Sequence, residues 1–340
     1  MVEGNTRQIK VVVTTEFSDD IMNALRSVSP RYKIERHYPN VPDAAWADAE
    51  VLYTARKLPE PAQAPRLRWI QFHSAGLDDV LKNDLIRAED LEVTTASGIH
   101  AVQMSEYCLA MMLVFAYKLP ALLALQAKAE WPDKAHKLFL PRELRGQTLG
   151  IAGYGSIGRE LARQAAALGM TVLASKRDPM HPAETGGYVE SGTGDPEGSI
   201  PARIYPDAAL KSMAAECDFL VVTLPLTDAT RHVINEDVLD GMKKSAVLIN
   251  VGRGSVIDEP ALITALSSGK IAGAALDVFE EEPLPKTSPL WNLENVILTP
   301  HIAGNSAHYN EKAAALFAEN LQRYSENRPL LNRLDRKRGY

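Results

Sequence analysis

Cysteine is scarce: Cys108 and Cys217 are the two in 340 residues, far apart and in apolar surroundings. Nothing in their spacing suggests a disulfide or a metal site, so they read as reduced core thiols of a reducing compartment. Long apolar runs are missing too. The longest, Cys108–Tyr117, is too short to span a bilayer. The first ten residues lack the apolar core of a secretory signal. The expectation is a soluble cytoplasmic protein with no membrane partner. There is no excess of positive charge, the net charge being −6. The one basic cluster, Arg333–Arg338, reads as a solvated tail, so a nucleic-acid partner is not expected. What remains is ordinary for a globular chain, 46% hydrophobic and 24% charged, and long enough for two domains with cores of their own.

Against this plain background one stretch stands out. Thr148–Ala152 is an apolar run that reads as a buried strand. It enters Gly153–Tyr154–Gly155–Ser156–Ile157–Gly158, and a helical stretch, Ile157–Leu168, follows and stops at Gly169. In such a Gly-x-Gly-x-x-Gly turn the first glycine permits the bend. The second lets backbone approach a pyrophosphate, and the third lets helix pack on strand. The helix start offers N–H groups and a positive dipole end to phosphate. Strand before and helix after are the context a dinucleotide site requires; a purely structural turn is the alternative.

The first hundred residues carry no such fingerprint. Ile9–Thr14 reads as a buried parallel strand, and Ser18 can cap a helix over Asp19–Val28. Further strands are expected near Lys33–Arg36, Glu50–Thr54, Trp69–Phe72 and Glu92–Thr95. Alternating strands and helices imply βαβ units and a parallel sheet. Two strand-end loops, Tyr53–Arg56 and His73–Asp78, stand where ligands lie in open α/β sheets. Arg56 can meet an anion or simply be solvated. Small residues in the second loop expose N–H groups able to hold a carboxylate, although a plain turn is the simpler reading. Ala101–Lys118 and Ala121–Glu130 are strongly apolar helices, expected to pack inside the domain or against a second subunit.

After the glycine turn, Thr171–Ala174 is the next strand, and Ser175–Lys176–Arg177 follows it. An NAD site usually carries an acid there for the ribose hydroxyls. Two cations and a hydroxyl suit a 2′-phosphate instead, so NADP(H) is favoured, with NAD(H) possible through Asp178. His181–Pro206, rich in Gly, Pro, Glu and Ser, reads as a long surface loop. Later strands are expected at Phe219–Leu224, Ala246–Val251, Gly273–Val278 and Val296–Thr299, with helices at Glu236–Gly241 and Pro260–Ser267. Leu224–Pro225 follows the fourth strand, on the dinucleotide's path to the nicotinamide.

Three further strand ends carry chemistry. Asn250–Val251–Gly252–Arg253–Gly254 sets an arginine between glycines. Asp277–Val278–Phe279–Glu280–Glu281–Glu282–Pro283 brings acids, and Thr299–Pro300–His301–Ile302–Ala303–Gly304 brings a histidine. Each alone has a bland reading. Together, at the carboxyl ends of successive parallel strands, they converge on one crevice.

These motifs resemble the D-isomer-specific 2-hydroxyacid dehydrogenase family, which includes glyoxylate/hydroxypyruvate reductases. The resemblance covers nearly the whole chain, more weakly before Ile99. It implies two doubly wound parallel-sheet domains, with a Rossmann cofactor domain over residues 104–304 inserted into a flavodoxin-like substrate domain of residues 1–103 and 305–340. A C-terminal helix, Ser306–Tyr324, would rejoin the first half. It selects Glu282, before the proline, as the catalytic glutamate beside Arg253 and His301. It puts Asp277 on the nicotinamide side and aligns the usual ribose aspartate with Lys176. It assigns the substrate carboxylate to N–H groups of Ser74, Ala75 and Gly76, with Arg253 and His301 also contacting substrate. Gly153–Gly158, Ser175–Arg177, Leu224, Pro225, Val251, Gly252, Arg253, Asp277, His301 and Gly304 would line the cofactor. Trp46, Tyr53, Met104 and Trp131 are candidates to shape the pocket.

The implied activity is reduction of a small 2-keto acid, such as glyoxylate or hydroxypyruvate, to the D-2-hydroxy acid. Arg253 would hold the carboxylate and ketone, and protonated His301 would supply a proton to the carbonyl oxygen as hydride arrives. Glu282 would orient the ring and favour its charged form. A bulkier 2-keto acid, formate or phosphite, or a dinucleotide-sensing scaffold, are the alternatives. A homodimer joined through Ala101–Glu130 is likewise implied.

Overall fold

The computed structural model describes residues 7–339. The chain divides into two compact units: residues 1–99, 185–189 and 306–340, and residues 100–184 and 190–305.

The first unit is built on five strands, β1 Ile9–Val13, β2 Tyr32–Arg36, β3 Val51–Thr54, β4 Trp69–Phe72 and β5 Glu92–Thr94. All pairs are parallel, in the order β2-β1-β3-β4-β5. Alternation along each strand sends side chains to opposite faces. Val11, Val13, Tyr53 and Trp69 pack on one side with Phe317 and Leu321 of the C-terminal helix Tyr309–Ser325. Val12, Leu52, Ile70 and Phe72 pack on the other, against Leu85 and Ile86. Both faces are covered, and for that reason the central strands β3 and β4 are buried at every position. Helix α1, Asp19–Arg26, is capped as expected, with the Ser18 hydroxyl accepting the Ile21 amide at 3.3 Å. Short helices α2 Asp43–Trp46 and α3 Asp84–Arg87 complete the crossovers.

The second unit carries seven parallel strands, β6 Thr148–Ala152, β7 Thr171–Ser175, β8 Arg203–Tyr205, β9 Phe219–Val222, β10 Val247–Asn250, β11 Gly273–Leu276 and β12 Val296–Leu298. Their order is β12-β11-β10-β9-β6-β7-β8. The direction of winding reverses beside β6, so the glycine turn that leaves β6 stands at the switch point, where doubly wound sheets bind ligands. Its helices are α4 Ala101–Ala116, α5 Leu119–Ala127, α6 Ala135–Leu138, α7 Ser156–Ala167, α8 Leu210–Glu216, α9 Glu236–Gly241 and α10 Glu259–Ser267. One face of the sheet, with Leu149, Ile151, Val221 and Ile249, buries Cys108 and Met112 of α4 and Leu161 and Ala165 of α7. The other, with Leu220, Val222, Leu248 and Leu276, buries α8, α9 and α10.

One expectation needs correcting. The stretch 181–206 is not all loop, because Arg203–Tyr205 forms the edge strand β8. Three residues with a single partner strand leave too short a pattern to read. Helix α5 has no buried residue in this chain; Leu119, Leu122 and Leu123 are exposed, the last at 61%. Both cysteines are free and buried, and burial pushes the Cys217 thiol up to about 12. Among the described residues no single helix is long and apolar enough to cross a membrane, and no group of three or more His, Cys, Asp or Glu side chains is arranged to hold a metal ion.

Candidate active site

The glycine turn is shaped by close packing. Gly153 lies at φ +102°, with its carbonyl accepting the Thr223 hydroxyl at 2.7 Å. A Cβ on Gly158 would stand 2.5 Å from the Gly153 oxygen, so no side chain fits there. At Gly155 an added Cβ would meet nothing within 4 Å. Backbone is therefore presented to open space where α7 begins. The first intrahelical bond is Arg159 N–H to Gly155 O at 2.9 Å, and the preceding N–H groups are available at the positive end of the helix. That open cradle fits a pyrophosphate.

The segment after β7 is tied onto this turn. The Tyr154 hydroxyl donates to Asp195 at 2.6 Å, and Arg159 lies over the Tyr154 ring at 4.7 Å while donating to the Asp195 and Pro182 carbonyls. Asp195 also accepts the amides of Ser199 and Ile200, both at 3.0 Å. Lys176 donates to three carbonyls, of His181 at 2.5 Å, Pro182 at 3.1 Å and Ala183 at 3.2 Å. An ammonium has three N–H donors, so the loop takes them all. Burial lowers the Lys176 pKa, with Arg159 adding to the effect. Ser175 is buried, and Asp207, beyond β8, is raised by burial against the opposing pull of Arg177 and the Ser175 hydroxyl.

Three later strand ends hold Arg253, Glu282 and His301, the residues expected to carry the chemistry. After β10, Asn250 closes the arginine loop on itself: its amide donates to Arg253 O at 3.1 Å, and its oxygen accepts Gly252 N–H at 3.1 Å. Arg253 donates to Gly252 O at 2.8 Å. A Cβ on Gly254 would stand 1.8 Å from the Phe279 carbonyl carbon, so this glycine is what lets the arginine loop lie directly on the glutamate loop. In that second loop the three glutamates diverge. Glu282 accepts Phe279 N–H at 3.0 Å through one oxygen and contacts His301 Nδ1 at 2.7 Å through the other. Glu280 pairs with His232 Nε2 at 2.7 Å. Glu259 lies close by. Burial raises its pKa, and Glu280 and Glu281 add to that against the pull of a backbone hydrogen bond. The imidazole of His301 is half-exposed (51%), and Nδ1 on Glu282 leaves Nε2 to face a reactant.

Asp277, expected on the nicotinamide side, is 1% exposed. Its carboxylate accepts the Thr299 hydroxyl at 2.6 Å and the amides of Ile302 at 2.9 Å and Ala303 at 2.8 Å. His301, between these donors, has φ +54°. A non-glycine residue in the left-handed region costs of order 1–3 kcal/mol unless its surroundings hold it. Gly304 is backed by α4: the Gln103 amide reaches its carbonyl at 3.3 Å, and a Cβ there would be 3.2 Å from the His100 ring. Leu224 and Val251 are buried, and Pro225 O accepts the Thr230 hydroxyl at 2.6 Å.

In the first unit, His73–Gly76 follows β4. Arg56 holds the loop, donating to Ser74 Oγ and Ala55 O at 2.7 Å and to Gly76 O at 3.0 Å, with Nε on Asp79 at 2.5 Å. The Ser74 hydroxyl donates to Gly76 O at 3.1 Å. None of the N–H groups of Ser74, Ala75 and Gly76 has an acceptor among the described residues. Three such donors in a row can hold an anion. In the same loop, His73 Nδ1 meets Tyr53 O–H at 2.7 Å, and His73 O accepts Tyr309 O–H at 2.9 Å. Burial lowers the His73 pKa to about 4.

Of the residues named for shaping a pocket, Trp46, Tyr53 and Met104 are core residues, whereas Trp131 is 91% exposed. Sequence reasoning missed Tyr107, Thr299, Gln103, Asp195 and Asp207. Thr299 stood inside a quoted motif, but Tyr107 is one polar tip on an apolar helix and gave no signal.

A family model described as "D-isomer specific 2-hydroxyacid dehydrogenase, NAD binding domain" matches residues 109–303. The chain is similar to an (S)-sulfolactate dehydrogenase of Chromohalobacter salexigens, 35% identical over 266 residues, covering 77% of this chain and 79% of that protein. It is 33% identical over 312 residues to a glyoxylate reductase of Pyrococcus furiosus, covering 90% and 85% respectively. Among solved structures, a D-isomer specific 2-hydroxyacid dehydrogenase from Xanthobacter autotrophicus Py2, in complex with NADPH and MES, matches with a TM-score of 0.79 at 29% identity. That match covers 98% of this chain and 100% of that one.

Proposed function

The chain belongs to the D-isomer specific 2-hydroxyacid dehydrogenase family, and from that premise we propose that it reduces a small 2-keto acid to the D-2-hydroxy acid with NADPH. Dependence on a nicotinamide dinucleotide follows from the family; the substrate, the direction and the NADP preference are our reading. The observation that carries it is the 2.7 Å contact between His301 Nδ1 and Glu282, one strand end away from the loop of Arg253.

A nicotinamide dinucleotide held at the glycine turn after β6 would supply the hydride for the carbonyl carbon. Arg253 holds the carboxylate and ketone through its planar fork and fixes which face of C2 reacts. Charge grows on the carbonyl oxygen, and His301 Nε2 gives it a proton, a contribution typically of about 10²–10⁴ in rate. Glu282 keeps the proton on Nδ1 and balances the charge of the ring before transfer. The N–H groups of Ser74, Ala75 and Gly76 serve the substrate carboxylate. Glyoxylate and hydroxypyruvate are the proposed substrates, in keeping with relatives named glyoxylate reductase.

For the cofactor, Ser175, Lys176 and Arg177 at the end of β7 are the candidates for the 2′-phosphate, and Lys176 also donates to three loop carbonyls. NADH is the second reading. Asp207, within reach of the Ser175 hydroxyl, is an acid at the neighbouring strand end that can accept ribose hydroxyls. A homodimer through α4 and α5 accounts for the exposed leucines of α5, and a mass measurement in solution tests it: a monomer at micromolar concentration refutes it. Buried free thiols agree with a cytoplasmic location.

The function is tested by following loss of the reduced-nicotinamide absorbance with NADPH, then NADH, over glyoxylate, hydroxypyruvate, pyruvate, phenylpyruvate and 2-ketoisocaproate. Consumption of NADPH with glyoxylate or hydroxypyruvate is expected. Tight NADPH binding with no consumption over the panel would favour another substrate or a sensing role.

A further inference from the structure

The geometry points to Thr299 and Tyr107 as positioning residues for proton transfer: through the Asp277 carboxylate they hold the backbone turn that sets His301 against Glu282. This inference rests on the reading of His301 as the proton donor.

The donors can be accounted for one by one. Asp277 already accepts N–H groups at both carboxylate oxygens, from Ile302 at 2.9 Å and from Ala303 at 2.8 Å. The Thr299 hydroxyl, 2.6 Å from Oδ1, gives its single proton to the same carboxylate. Tyr107 O–H, 2.7 Å from Thr299 Oγ1, must then donate to it. Burial, only partly offset by that hydrogen bond, pushes the Tyr107 phenol up to about 12, so it remains a donor over any working range of pH. A directed line of hydrogen bonds therefore runs from α4 through Thr299 to Asp277.

Asp277 brackets His301. Its side chain holds a residue two positions before the histidine and the two that follow. Its own carbonyl accepts the His301 amide at 2.9 Å. The residue so enclosed has φ +54°, a conformation a histidine leaves when nothing restrains it. Relaxation to negative φ turns Cβ, and with it the imidazole, away from Glu282. Asp277 is shielded from solvent, and the Thr299 hydroxyl is the side-chain donor that, together with the amides of Ile302 and Ala303, holds the direction of its carboxylate.

The test compares T299V, T299S and Y107F with the parent enzyme. Two readouts are used: keto-acid reduction, and hydrogen exchange at the amides of Ile302 and Ala303. T299V is expected to lower kcat by about tenfold or more, with KM for both reactants within about threefold, because the proton donor and not binding is disturbed. Exchange at the two amides should rise by about tenfold or more as the turn opens. T299S keeps the hydroxyl and should restore both, and Y107F should move both in the direction of T299V by a smaller factor. An unchanged kcat in a folded T299V, or a loss that T299S does not repair, overturns the proposal. If T299V does not fold, Y107F decides: unchanged exchange and kcat overturn it. Should the parent enzyme reduce no 2-keto acid, the functional reading fails by itself. The clamp is then judged on exchange alone, with faster exchange in T299V and rescue by T299S sustaining it and no change refuting it.

Discussion

Glu282 binds its own turn and His301 at once: one oxygen accepts the Phe279 amide at 3.0 Å and the other lies 2.7 Å from His301 Nδ1. A carboxylate pinned at one oxygen presents the other in a fixed direction. It can therefore set the ring's tautomer and angle.

Two substitutions separate these roles. H301A should lower kcat for keto-acid reduction by about 10²–10⁴ and leave NADPH affinity within a few-fold. E282Q keeps the size and a hydrogen-bonding oxygen but removes the charge, and should cost less than H301A. Steady-state rates with NADPH in excess, together with a fluorescence titration of the cofactor, check both. Full turnover in H301A would remove the histidine from the mechanism.

Arg177 and Lys176 should behave differently despite being neighbours. R177A is expected to raise KM for NADPH by about 10–100-fold, the loss of one or two charge-assisted hydrogen bonds of about 1.5–3 kcal/mol, with NADH little affected. K176M instead strips three carbonyls of their donor and should lower the melting temperature with a smaller effect on cofactor choice. Equal losses with NADPH and NADH in R177A would place the 2′-phosphate elsewhere.

The three N–H groups at Ser74–Gly76 depend on Arg56, which grips that loop through Ser74 Oγ and Gly76 O. R56A should raise KM for the keto acid by about 5–30-fold with kcat nearly kept, since uniform binding is what is lost. R56K should not restore it, because an ammonium cannot reach several acceptors in one plane. Initial rates over a range of glyoxylate concentration decide the matter.

His73 makes stability depend on pH. Its pKa falls from the ordinary 6.5 to about 4 on burial. Between those values the unfolded chain binds a proton that the folded chain refuses. Stability is therefore highest above about pH 6.5 and falls as pH drops toward about 4. In H73Q, whose amide oxygen can still accept from Tyr53, that part of the acid loss should vanish. Urea unfolding of both proteins across the window measures it, and parallel curves would rule the histidine out.

Much of this protein is legible from its residues in order, wherever neighbours along the chain decide the outcome. The β-branched run Ile9–Val13, the Ser18 cap and the glycine turn after β6 depend on residues a few positions apart, so their pattern survives in one dimension. Strand ends carrying Arg253, Glu282 and His301 are visible for the same reason, since parallel strands place their carboxyl ends on one edge. What only the tertiary structure decided is which partner each polar group finds. Three consecutive glutamates are alike in sequence, yet the turn aims Glu282 at His301 and Glu280 at His232. Lys176 stands beside Arg177, yet its donors go to carbonyls five to seven residues on. Tyr107 reaches Thr299 across nearly two hundred positions. Hydrogen bonds need a few tenths of an ångström and a correct angle, and only the packed chain supplies those across such separations.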